Sequence, residues 1–261
     1  MTPTPWHWRE YAIEGCCLGI FMISAVAFAV VLQHPRSPLA GWTPLPALAR
    51  LPMGLAMGLT CTALIYSPAG RRSGAHMNPA VTLTFFRLGK ISAIDAAAYM
   101  SAQFLGGTAG MCVASLVFRR FAANASVNFV STMPGPPGSA WAFGAETAIS
   151  FLMMLTVLVM SNAERLARLT GIAAGVLVAA FITLEAPLSG MSMNPARTVA
   201  SALFAGGDGL WIYFAAPPLG MLAAAEAFLR IHGRPRVRCA KLHHRSDVPC
   251  IFHCGYTETA A

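Results

Sequence analysis

Six stretches of this chain are almost unbroken apolar runs, at about 11–32, 48–66, 95–118, 141–160, 170–187 and 210–231. A helix needs about 20 such residues to cross the hydrocarbon core of a bilayer, and these runs are close to that length. They lack the strict polar–apolar alternation of a membrane barrel strand. The pattern therefore predicts six transmembrane helices. Small residues recur within them, including Gly54 and Gly58, Gly106, Gly107 and Gly110, and Gly171 and Gly175. Such spacing lets helix backbones approach closely in lipid.

Two further apolar stretches, about 78–87 and 194–204, are too short to span. Each opens on the same text: Ser73-Gly-Ala-His-Met-Asn-Pro-Ala80 in one, Ser189-Gly-Met-Ser-Met-Asn-Pro-Ala196 in the other. The rest of the chain keeps step with this repeat. The first copy covers about 11–118 and the second about 141–231, with Glu14 and Glu146 in their respective first helices. Three full spans per copy is an odd number, so the second copy must enter the membrane upside down. The two short helices then dip in from opposite faces. Interrupted segments at matching positions of inverted repeats point to a transport site.

Composition narrows the class. Of 261 residues 56% are hydrophobic and 11% charged, and mean hydropathy is +0.59. Soluble domains carry about a quarter charged residues, and disordered chains lack this much apolar content. The net charge of +8 calls for no nucleic acid. If both termini are cytoplasmic, that side carries Arg9, Arg71, Arg72, Arg87, Lys90, Arg165, Arg168, Arg230, Arg234, Arg236, Arg238, Lys241 and Arg245. The other side carries only Arg36, Arg50, Arg119, Arg120 and Arg197, a positive-inside asymmetry. That distribution and a single short tail fit a multi-pass protein of a bacterial inner (plasma) membrane. The first run, entered through Trp6 and Trp8, reads as a span rather than a cleavable leader.

Asn is a strong helix cap and Pro is favoured at the first helical position, so Asn78-Pro79-Ala80 and Asn194-Pro195-Ala196 are helix starts. Two starts from opposite faces would meet near the midplane with the positive ends of their dipoles converging. Irregular backbone at that depth must be buried in protein or line a wet path. Each Asn amide carries two donor hydrogens for a passing oxygen, while cations meet two positive helix ends. Arg197, one turn from Asn194, should face the same path as a second cation barrier.

Two Ser-Gly-x-x-x-Asn-Pro-Ala boxes in register, with Arg197 after the second and Glu14, Glu146 and Gln103 in the helices, resemble the aquaporin, or major intrinsic protein (MIP), family over about residues 8–232. The resemblance implies an all-α membrane protein: six transmembrane helices plus two re-entrant half-helices in a right-handed aquaporin-like bundle built as an inverted repeat. It also implies a homotetramer with one pore per subunit, and loops braced by Glu14 and Glu146. Its selectivity filter would fall on Met57, Ile182, Met191 and Arg197, with Gly58 the alternative for the first position. Thr198 after the Arg, Ala202 and Tyr213-Phe214 are similar to the water branch of the family. The filter lacks that branch's Phe and His, which opens it to glycerol, urea, ammonia or neutral metalloid acids. The expected function is passive conduction of water, and small neutral solutes besides, without protons or ions. No enzyme activity and no cofactor are implied; the partners are water, neutral solutes, lipid and further copies of the chain.

Other classes stay open. Secondary active transporters also use inverted repeats with broken helices. A membrane hydrolase would need a metal pair or nucleophile set that the sequence lacks. His76, in the first box, reads as a hydrogen-bonded structural residue rather than a gate or metal ligand. The basic segment 233–261 reads as a partly disordered cytoplasmic tail. It holds Cys239, His243, His244, Cys250, His253 and Cys254, soft ligands of which Cys250 and Cys254 have zinc-like spacing. A reduced, solvated tail is the plainer reading, and no metal site is expected.

Overall fold

A computed structural model of the chain describes residues 6–245 and 247–256. Ten α-helices follow in order among them: α1 (Trp8–Gln33), α2 (Pro46–Tyr66), α3 (Pro68–Ser73), α4 (Pro79–Arg87), α5 (Ala93–Phe118), α6 (Ser139–Ser161), α7 (Thr170–Leu184), α8 (Ala186–Ser189), α9 (Pro195–Ala205) and α10 (Leu210–His232). Six of these, α1, α2, α5, α6, α7 and α10, are long and apolar enough to cross a membrane. The short helices α4 and α9 begin at the two Asn-Pro-Ala boxes.

Packing repeats between the halves. Helix α1 lies on α5 as α6 lies on α10, and α2 meets α7 across the centre. Each half-helix crosses over to the other half, α4 onto α10 and α9 onto α5. Glycine makes the tightest crossings. A Cβ at Gly106 would fall on the backbone of Gly15, one at Gly110 on Gly19, and one at Gly58 on the carbonyl of Gly175. Outward-facing Leu105, Leu116, Leu184 and Ile231 are exposed, as lipid-facing side chains are.

The fifth apolar stretch stops earlier than its hydropathy predicts. Helix α7 ends at Leu184, not near 187, because Pro187 has no N–H to give the Thr183 carbonyl. Arg50 supplies the missing donor, its Nε lying 2.9 Å from that oxygen. The equivalent break in the first half is Pro68, which deprives the Leu64 carbonyl; the Ser67 hydroxyl donates to it at 2.8 Å. The two breaks start α3 and α8, single turns that lead the chain into the boxes and that hydropathy does not reveal.

The tail differs from expectation. It does not hang free: Val237, Cys239, Ala240, Lys241, Leu242 and Phe252 are all buried. It folds back over the end of the bundle where α1 begins and α10 ends. Arg238 N donates to Asn162 Oδ1 at 2.7 Å, Leu242 N to the Gly74 carbonyl at 3.2 Å, and His253 N to the Lys90 carbonyl at 2.9 Å. Few apolar residues are needed for this, because the bundle end supplies the partners.

Candidate functional site: the paired Asn-Pro-Ala loops

Each loop that feeds a half-helix carries two residues in the left-handed region, Ala75 and Met77 in the first, Met191 and Met193 in the second. Such backbone is costly for residues with a Cβ and persists only where its surroundings hold it. Here the holder is a buried carboxylate. Glu14 accepts from Ser73 Oγ (2.7 Å), His76 N (3.1 Å), Met77 N (2.6 Å) and Gln103 Nε2 (3.0 Å). Glu146 accepts from Ser189 Oγ (2.8 Å), Ser192 N (2.7 Å) and Met193 N (2.7 Å). The hydroxyls of Tyr99 and Tyr213 finish the frame, donating to the Ser73 and Ser189 carbonyls at 2.7 and 2.5 Å. Tyr99 was not singled out from the sequence, and Tyr213 only as a mark of the water branch; aligning the repeats beyond the boxes would have paired them.

The asparagines join the halves. Asn78 Oδ1 accepts from Ala80 N at 2.9 Å, and Asn194 Oδ1 accepts from Ala196 N and Arg197 N at 3.1 and 3.2 Å. Each amide nitrogen reaches across: Asn78 Nδ2 donates to the Met193 carbonyl and Asn194 Nδ2 to the Met77 carbonyl, both at 2.7 Å. This revises the sequence expectation of two free hydrogens per amide. One hydrogen of each NH2 is committed to the opposite loop, leaving one.

A cavity of about 420 Å³ runs past both asparagines. At one end it meets Gln33 and the 125–133 connection; at the other it meets His76 and Leu242. Met57, Ile182, Met191 and Arg197 all line it, while Gly58 does not and instead packs on Gly175. Among the described residues, Arg197 Nη1 has no hydrogen-bond partner although it is buried. A buried guanidinium donor left open toward a cavity is a recognition element for an oxygen.

His76 is fixed rather than free. Its Nε2 donates to the Ala240 carbonyl at 2.8 Å, which leaves Nδ1 of the neutral ring facing the Thr82 hydroxyl at 3.1 Å. The ring is stacked against Phe85 and Phe252. Of the tail candidates, Cys239, His244, Cys250 and Cys254 come together, whereas His243 packs on Tyr66 and His253 bonds the Gly89 carbonyl. The Cys239 thiol, donating to Cys250, holds the Cys250 thiol below its usual range against the opposing effect of burial.

These features agree with what the chain is similar to. The family described as Major intrinsic protein matches residues 3–228. The chain is 38% identical over 224 residues to "Glycerol uptake facilitator protein-like 6" of Lactiplantibacillus plantarum, covering 83% of this chain and 95% of that protein. It is 33% identical over 213 residues to "Aquaporin NIP1-3" of Oryza sativa subsp. japonica, covering 81% of this chain and 70% of that one. The solved aquaglyceroporin from Plasmodium falciparum shares the fold, with a TM-score of 0.71, 20% identity, and coverage of 89% of this chain and 99% of that one. The fold and the paired boxes thus define a multi-pass membrane channel. The chain belongs to the major intrinsic protein family.

Proposed function

We propose that residues 8–232 form a passive channel for water and small uncharged hydroxylated solutes, with Asn78 and Asn194 at its midpoint and Met57, Ile182, Met191 and Arg197 at its constriction. The observation that carries this reading is the mutual lock of the two Asn-Pro-Ala loops beside a continuous cavity. Each asparagine has one hydrogen left to hold a solute oxygen, and both half-helix starts repel cations. Arg197 adds a second positive barrier. Within the expectation of water and small neutral solutes, this lining favours solutes with a carbon side. Three of the four constriction residues are Met or Ile, which offer an apolar wall to the carbon side of a polyol, while Arg197 offers donors to its hydroxyls. A relative named for glycerol uptake supports that choice.

In this reading the face bearing the tail is cytoplasmic, as the Lys/Arg asymmetry suggests, and the assembly is a homotetramer. Glu14 and Glu146 brace backbone rather than relay protons, since their oxygens are occupied by donors.

Stopped-flow light scattering on proteoliposomes tests the proposal with water, glycerol, urea and ammonia. Water and glycerol permeability above that of empty vesicles, unaffected by a pH gradient, is the expected result. Permeability equal to empty vesicles for all four would overturn it, and uphill uptake driven by protons would favour a secondary transporter.

A further inference from the structure

We propose that Cys239, His244, Cys250 and Cys254 bind a zinc-class divalent cation, and that this ion holds the tail as a plug in the channel mouth on the tail-bearing face. The metal site stands on its own geometry; the plug rests on the channel reading given above.

The geometry is that of a closed four-ligand site. One ligand atom from each residue lies within 4.8 Å of every other. Cys239 Sγ and Cys250 Sγ are 3.5 Å apart, and Cys254 Sγ lies 3.8 Å from His244 Nδ1. Tetrahedral zinc with bonds of about 2.3 Å to sulfur and 2.0 Å to nitrogen would put neighbouring ligand atoms roughly 3.5–3.8 Å apart, so small adjustments close the site. Three cysteines and one histidine are a ligand set of structural zinc. Partners outside the four are also in place. Tyr256 stacks face-on against the His244 ring with centroids 4.2 Å apart, which fixes the imidazole plane. Lys241 N points at Cys239 Sγ from 3.5 Å.

Charge balances as well. Binding releases three thiol protons to solvent and leaves the imidazole neutral, so three thiolates and a divalent cation carry one net negative charge. That charge sits beside buried Lys241, whose Nζ donates to the Pro249 carbonyl at 2.7 Å.

A disulfide between Cys239 and Cys250 is the competing chemistry. It would require the sulfurs to close to about 2.05 Å and would give His244 and Cys254 no role. Among the described residues the tail has only the 3-10 turn Arg234–Arg236 as regular structure and few backbone bonds of its own, Gly255 N to the Arg238 carbonyl among them, so much of its internal order is left to side chains. A cross-link at four points supplies it.

The site's location gives it a consequence. Between the ligands Cys239 and His244 lies Leu242, which lines the central cavity together with His76. Ala240 and Leu242 are tied by hydrogen bonds to His76 and Gly74 of the first box loop. The ion therefore pins the segment that stands in the mouth. The ligands lie beyond residue 228, where the family match ends.

The test uses the full chain in detergent and in proteoliposomes. Metal-stripped protein titrated with Co2+ should take up one ion per subunit, with thiolate-to-cobalt charge-transfer absorption and the intense visible bands of tetrahedral cobalt. Cys250→Ser and Cys254→Ser should each weaken binding at least tenfold, Cys254→His should retain it with reduced charge-transfer intensity, and Cys112→Ser should leave it unchanged. Zinc should protect the tail from trypsin at Arg236 and Arg245, and stripping it should raise glycerol flux severalfold. Absence of the charge-transfer band, binding indifferent to both serine variants, or a Cys239–Cys250 disulfide in the purified chain would overturn the site. Normal binding and protection with flux unchanged by stripping would overturn the plug alone. No flux in either state, with binding intact, would remove the channel reading and the plug with it, leaving the metal site standing.

Discussion

Asn78 and Asn194 each cap their own half-helix with the amide oxygen and lock the other half's loop with the amide nitrogen, at 2.7 Å to Met193 and Met77 respectively. One side chain thus serves both halves. Asp at position 194 would keep the capping oxygen and lose the cross-link. The Met77 carbonyl would then face a carboxylate. Asn194→Asp should cost about 1–3 kcal/mol by that lost donor, read as a lowered unfolding temperature. It should also admit Na+ or K+, since a negative charge would sit between the two dipoles. A planar-bilayer recording that shows no cation current above wild type would count against the midpoint assignment.

Neutralising a brace gives a different outcome. In Glu146→Gln one acceptor oxygen becomes an NH2 facing the Ser192 or Met193 N–H, so at least one buried donor loses its partner. The expected cost is about 1–3 kcal/mol, with a smaller yield of folded protein in detergent. What folds should still conduct passively. A variant of unchanged stability whose only defect is proton coupling would support the relay alternative.

Two residues of the proposed constriction separate size from charge. Arg197→Val removes a guanidinium whose Nη1 is buried and unpartnered. Larger polyols should pass faster, and protons should enter, as a pH-sensitive dye inside the vesicles would report. Ile182→His adds a hydrogen-bonding ring to the cavity wall. Glycerol permeability should fall more than water permeability, measured on one preparation.

At the α1–α5 crossing, Gly106→Leu would drive a side chain into the Gly15 backbone. Backbone cannot yield as a side-chain tip can, so the penalty should reach at least the 1–3 kcal/mol typical of overpacking. Loss of the monodisperse peak in size exclusion checks this. Gly144, with open space around it, should accept Ala without such loss.

Much of the fold was legible because lipid imposes a simple code: twenty apolar residues cross, and fewer do not. The paired boxes were legible because the repeat writes them twice. Hydropathy could not reveal the break at Pro187, which lies within apolar text and differs only in a missing N–H, and at Pro68 it ended the run without showing the helical turn beyond it. Nor could it show that Arg50 would serve Thr183, a partner 133 residues away. The tail was misread for a related reason. Its own composition is that of a solvated segment, and its order comes from Gly74, Lys90 and Asn162 on the bundle, none of which is near it in sequence.

The crossed asparagine bonds make each half unfinished. Cut the polypeptide between Phe118 and Ser139, and either fragment would hold an amide with no carbonyl to reach and a carbonyl with no amide to meet. Each fragment is the other's missing template. The connecting stretch shapes one mouth of the cavity but takes no part in that lock, so the two pieces made separately in one cell carry the instructions to find each other.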